Sequence, residues 1–241
     1  IFFRYYLSAK LMTEAVTGPD VPPQTYPLGD APAPKPKVKE VGPRGKSSKS
    51  QASVQRKLAR KERHWVNVLH GSVMASGCPS KLSQFVADFN VTHIVTLLKE
   101  EERNATALGS ACMGLGVGWT HLPLSGADLS FDKDWASLAR LPEVVSLLRE
   151  RQRVVVHCSA GMHRTGAVVY ILFRLAGLQK DAALDGVRAT REVTYEELIK
   201  ARRGRASLEE FGEAVVQRLE SAAYTTSDAA GEMVSSSPAG P

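Results

Sequence analysis

Residues 154–166 read Val154-Val155-Val156-His157-Cys158-Ser159-Ala160-Gly161-Met162-His163-Arg164-Thr165-Gly166. A short β-branched run ends at Cys158, and Thr165-Gly166 open an apolar helical pattern. A strand that stops just before a helix leaves loop N–H groups unpaired. They curl around an anion, with the positive end of the helix behind them. Arg164 adds a planar fork that clamps two oxygens at once. Gly161 supplies a residue able to take positive φ in the bend. Cys158 sits at the bottom of this cradle, where the donors that attract an anion also stabilise a thiolate. The pattern is an anion site with a nucleophile at its centre.

The surrounding sequence alternates strand and helix signals. Strands or hairpins are expected at 65–73, 92–98, 118–124 and 153–157, and helices at 79–89, 100–113, 135–151 and 165–175. The helix over 135–151 is expected to break near Pro142. The helix at 100–113 would carry Glu100, Glu101 and Glu102 in its first turn, where the dipole favours acids. Three more helices follow at 181–190, 194–203 and 207–219. The last two begin with Thr194-x-x-Glu197 and Ser207-x-x-Glu210, read as capping boxes. The order predicts an α/β fold: a mostly parallel central sheet flanked by helices, with the phosphate loop between a central strand and a helix.

His157 to Gly166 resemble the signature of the cysteine-dependent protein phosphatases, in the compact dual-specificity branch of the protein tyrosine phosphatase superfamily. The resemblance implies that Cys158 attacks phosphorus and that Arg164 and the amides of Ser159, Ala160, Gly161, Met162 and His163 bind the phosphoryl oxygens. It implies that the Thr165 hydroxyl helps the sulfur leave the phospho-enzyme. It also implies a general acid on a separate loop about 30 residues before the cysteine. Asp128 stands thirty residues before Cys158, in Ser-Gly-Ala-Asp-Leu rather than the family's usual wording, so Asp132 is its rival. Asp132 and Asp134 also read as solvated N-cap acids ahead of a helix. His157 is expected to support the loop and the thiolate through hydrogen bonds. His163 is read either at the pocket mouth or facing solvent. No cofactor and no metal are implied. The implied substrate is a protein carrying phosphotyrosine, phosphoserine or phosphothreonine. Relatives acting on inositol phosphates usually carry lysines within the loop, and this loop has none, which disfavours highly phosphorylated inositides. A phosphobinding module without turnover, and a phosphatase of RNA 5′ ends or inositol phosphates, remain the alternatives.

Charge divides the chain of 241 residues. Eleven Lys/Arg and two Glu fall between Lys35 and Arg63, a net of +9 against +6 for the whole chain. The basic character therefore belongs to a Pro/Ser/Lys-rich segment. Residues 1–63 are read as a disordered tail, 64–220 as the folded domain, and 221–241 as a second disordered tail. Residues 1–11 are slightly amphipathic. They read as the end of a targeting segment or, more plainly, as sequence ahead of a start at Met12. The basic tail is suited to an acidic partner or anionic surface, or is simply solvated. Three widely spaced cysteines, Cys78, Cys112 and Cys158, fit a reducing intracellular compartment, cytoplasm or nucleus. Cys78 and Cys112 are expected to be inert. No apolar run is long enough to span a membrane.

Overall fold

The computed structural model describes residues 62–200 and 206–231. Most of the expected tails, including almost all of the basic segment, lies outside the described residues. Five strands form one sheet in the order β1-β2-β5-β3-β4: β1 Val66–Val68, β2 Gly71–Gly77, β3 His93–Thr96, β4 Gly118–His121 and β5 Arg153–Cys158. The β1–β2 hairpin is antiparallel and every other pairing is parallel. β5 lies at the centre, so both of its faces must be apolar, which explains its unbroken valine run. Val154 and Val156 enter the larger core, while Val155 enters the smaller core on the opposite face with Met74, Ile94 and Cys112.

Helices cover both faces. α1 Leu82–Phe89 and α2 Ala105–Gly114 flank the smaller core. α3 Phe131–Leu138, α4 Leu141–Arg149, α5 His163–Leu175, α6 Lys180–Thr190, α7 Glu192–Ile199 and α8 Leu208–Gly231 gather on the other side. α5 touches β2, β5, α4, α6, α7 and α8, so every residue from Arg164 to Phe173 is buried. Each large apolar side chain in that run contributes about 1.5–3 kcal/mol through burial. A helix held on all sides gives the preceding loop a rigid base. Among the described residues no helix is long and apolar enough to cross a membrane.

Four expectations change. The helix after β3 starts at Ala105, so Glu100, Glu101 and Glu102 precede it and stabilise no first turn. The polar loop closes earlier than expected, at Phe131, so Asp132 and Asp134 are helical. α7 starts at Glu192, which moves Thr194 inside the helix and removes its capping role. The terminal helix runs to Gly231, past the boundary set at 220; Ala222 and Ala223 are good helix formers and extend it cheaply. The second box is as expected. The Ser207 N–H donates to Glu210 Oε2 at 2.7 Å and the Glu210 N–H to Ser207 Oγ at 3.1 Å. At the other boundary, Arg63 already belongs to the folded part, with its guanidinium over the Phe85 ring.

Candidate active site

The loop leaves the carboxyl end of β5 and enters α5 within a few residues. Gly161 makes the bend at φ 71°. A Cβ there would run into the Ser76 carbonyl and the Gly77 nitrogen at the end of β2, so only glycine fits. The same strand end holds the loop's first turn, where the Cys78 N–H donates to the Ser159 carbonyl at 3.2 Å. The first helical bond runs from the Gly166 N–H to the Met162 carbonyl at 2.7 Å.

The loop is also held from behind. Arg191, only 4% exposed, donates through Nη1 to the carbonyls of Ala160 at 3.0 Å and Gly161 at 2.7 Å. The Thr194 hydroxyl donates to the Gly161 carbonyl at 2.7 Å. Carbonyls drawn to the rear leave the loop's N–H groups free to face forward. A cation buried behind them adds to the positive field in front.

Cys158 is 4% exposed. Burial pushes its thiol pKa up, but the donors around the sulfur outweigh burial and hold it below the usual thiol range. These are the Thr165 hydroxyl and the backbone N–H groups of Gly161, Met162 and Thr165. The Gly161 nitrogen lies 3.3 Å from Sγ. The Thr165 hydroxyl is fully buried beside the sulfur and makes no hydrogen bond to any other group.

Arg164 is 7% exposed and held by three segments. Nη1 donates to the Leu97 carbonyl at 3.0 Å and the Leu124 carbonyl at 3.2 Å. Glu102 grips the fork, with Oε1 3.1 Å from Nη1 and Oε2 2.7 Å from Nη2. Such a two-pronged pair fixes the guanidinium plane as well as its position.

His157 is hydrogen-bonded at the base of the loop. Its ring is fully buried between Thr96 Oγ1, 2.9 Å from Nε2, and the Cys158 carbonyl, 3.4 Å from Nδ1. The Trp119 indole N–H donates to the same Thr96 oxygen at 2.9 Å. One proton arrangement satisfies all three groups: Trp119 donates to Thr96, Thr96 to His157 Nε2, and His157 Nδ1 to the Cys158 carbonyl. Burial lowers the His157 pKa to about 4, so the imidazole is neutral near pH 7. His163 pairs with Glu197 at 3.0 Å, which removes the reading of a purely solvent-facing imidazole. The Glu197 carboxyl pKa is lowered overall; burial pushes it up, and Lys200 and His163 more than offset that.

The three candidate acids separate. Asp134 is 1% exposed. It accepts the Ser125 N–H at 2.6 Å, the Ser125 hydroxyl at 2.8 Å and the Ser130 N–H at 2.8 Å. It is therefore a buried staple that closes the loop over 125–130, not the solvated cap acid expected from sequence. Asp132 is exposed on the first turn of α3. Asp128 is exposed on the stapled loop itself. That loop begins at Leu124, whose carbonyl is bound to Arg164, so its root is tied to the anion site.

Glu102, Arg191 and Thr194 escaped the sequence reading. Glu102 had a usable signal, since it follows a buried strand and parallel strands bring their carboxyl ends together. Arg191 had none, because only the packing of α6 and α7 turns it beneath the loop. Cys112 is buried in the smaller core, whereas Cys78 stands beside the loop. Among the described residues no group of three His, Cys, Asp or Glu is arranged to hold a metal ion.

No curated protein matches the chain. Solved structures resemble it at low identity. PTPMT1 is 19% identical with a TM-score of 0.47, covering 67% of this chain and 99% of that one. Tk-PTP in its active form is 20% identical with a TM-score of 0.44, covering 67% and 94%. The core catalytic domain of the PP-IP phosphatase SIW14 from S. cerevisiae is 17% identical with a TM-score of 0.44, covering 65% and 90%. The model of a tyrosine phosphatase family matches residues 65–239, well over half of the chain. With the cysteine, the arginine and their cradle all inside that span, the chain belongs to the tyrosine phosphatase family, and its chemistry is phosphoester hydrolysis.

Proposed function

We propose that this protein removes phosphate from phosphotyrosine and phosphoserine/threonine of proteins through a cysteinyl-phosphate intermediate. The observation that carries this reading is the Cys158 sulfur, held toward its thiolate by Thr165 and three backbone N–H groups beside Arg164. The thiolate attacks phosphorus, and the phosphorus–oxygen bond to the leaving group breaks as the sulfur–phosphorus bond forms. Arg164 and the forward-facing amides hold the three phosphoryl oxygens, matching the charge of a loose transition state. Asp128 gives its proton to the leaving oxygen, then takes one from the water that attacks the phospho-enzyme. The sulfur departs with the Thr165 hydroxyl donating to it. Arg164 exchanges part of its hold on Glu102 for the incoming phosphoryl oxygens.

Hydrolysis of p-nitrophenyl phosphate and of phosphotyrosine and phosphothreonine peptides by the full chain tests this reading. Cys158→Ser should lower kcat by more than about 10³-fold while inorganic phosphate still binds, because the cradle does not need the sulfur. Activity of Cys158→Ser within tenfold of the parent would overturn the mechanism. Turnover of inositol phosphates or triphosphate-ended RNA without turnover of either peptide would overturn the substrate class.

A further inference from the structure

A second group of cations stands beside the phosphate loop and has no carboxylate partner. Gly77 of β2 is in register with Cys158 of β5, so Cys78 lies about one strand spacing, roughly 5 Å, from the loop. A cleft of about 280 Å³ opens there, lined by Cys78, Arg63, Lys81, Phe85 and Asp88 among others. Arg103 lies near enough to Cys78 for its charge to favour the thiolate. Several other cations of the folded part sit in carboxylate pairs: Lys99 with Glu101, Arg140 with Glu143, Arg164 with Glu102, Arg174 with Glu213, Lys180 with Glu209, Arg188 with Asp185 and Lys200 with Glu197. Arg63, Lys81 and Arg103 make no such pair among the described residues.

Two features set this group apart from a solvated charged surface. Arg63 is half-buried against the Phe85 ring, and its buried Nε–H has no hydrogen-bond partner. Arg103 and Asn104 both adopt left-handed backbone, φ 52° at each, directly after Glu102 has closed on Arg164. Non-glycine residues adopt that conformation at a cost, so surrounding contacts must enforce it. The clamp on the phosphate-binding arginine and the projection of Arg103 toward Cys78 thus come from one short turn. Arg63 and Lys81 line the cleft with one acid, Asp88, an excess of one cation, and Arg103 beside Cys78 adds a second.

We propose that Arg103, Lys81 and Arg63 form a second anion subsite that binds another phosphoryl group on the same substrate, next to the one Cys158 attacks. The proposal rests on the phosphatase reading of the primary site and adds a preference for doubly phosphorylated substrates. The loop itself carries no lysine, which counts against polyphosphorylated substrates when the loop is read alone. Here the cations come from three other segments that only the fold brings to the loop's edge.

Full-length Cys158→Ser protein, titrated calorimetrically at low salt, tests this without turnover. The probes are a phosphotyrosine peptide, the same peptide with a second phosphoryl group on a neighbouring residue, and myo-inositol hexakisphosphate. At least one doubly or multiply phosphorylated probe should bind about tenfold tighter than the singly phosphorylated peptide, the sum of two modest ion pairs. Which one does so tells a peptide source from an inositol source. Adding Arg103→Gln and Lys81→Gln should shrink that ratio below about threefold, and Asp88→Asn should enlarge it. A ratio below threefold in the parent, or one that survives both glutamine substitutions, overturns the subsite. Failure of the Cys158 protein to hydrolyse p-nitrophenyl phosphate, with the ratio intact, would count against the hydrolase reading and in favour of the subsite.

Discussion

The phosphate loop and the loop that carries Asp128 both leave the carboxyl end of the sheet, yet they are held in different ways. The phosphate loop is fixed from below by β2, from behind by Arg191 and Thr194, and at its far end by a fully buried helix. Its cysteine and its arginine are both buried. The acid loop is closed by the Asp134 carboxylate, anchored at Leu124 and packed on the larger core through Leu129. Its candidate acid faces solvent. The anion site is thus formed before any substrate arrives, which is where preorganised donors contribute most. The candidate acid stands outside that buried cradle, on an exposed stretch of its loop.

The largest break in this contrast should come from the exposed loop. Asp128→Asn should lower kcat by roughly 10²–10⁴ for alkyl phosphates. The loss should be smaller for p-nitrophenyl phosphate, whose leaving group barely needs a proton. If Asp132→Asn shows that leaving-group dependence instead, the acid is Asp132. Next in size is the rear of the phosphate loop. Arg191→Ala frees the Ala160 carbonyl to turn forward and leaves the Gly161 carbonyl to Thr194 alone. It should lower kcat by about 10² for every substrate alike and move the pH profile of iodoacetate alkylation of Cys158 upward. Unchanged alkylation would show that Arg191 only stabilises the fold.

Smaller effects sharpen the contrast. Asp134→Asn loosens the acid loop alone. It should cost about tenfold in kcat for alkyl phosphates, equivalent to one charge-assisted hydrogen bond. Alkylation of Cys158 at pH 6 should stay at the parent rate, and a matching loss there would mean that the two loops are coupled. A further expected effect is on stability rather than on rate. His157 titrates near 4 in the folded chain and near 6.5 when unfolded. Below pH 6.5 the unfolded chain therefore takes up a proton that the folded chain refuses. Stability should fall as pH drops from 6.5 to 4, by up to about 3 kcal/mol, and should not depend on this residue above pH 7. Denaturant unfolding across that range measures it, and His157→Gln should flatten the curve.

The sequence alone was sufficient for the local logic. A valine run can lie only in the middle of a sheet, a strand that breaks at Cys158 leaves amides free, and Arg164 at the head of an apolar helix completes an anion cradle. These features lie within one stretch of chain, where period and spacing are read directly. The box at Ser207 and Glu210 is local in the same sense, whereas the hairpin expected over 65–73 runs on through β2 to Gly77. What failed had partners far away in sequence. Glu102 looked like a helix-start acid and instead binds Arg164 across 62 positions. Thr194 looked like a cap and instead holds Gly161, and Arg191 gave no local sign of its place beneath the loop. Asp134 looked solvated until the fold buried it among three donors. A buried polar group must find a partner somewhere, but a linear pattern does not say where. Tertiary packing made those choices, and with them the direction in which the loop's amides face and the cations that gather at its edge.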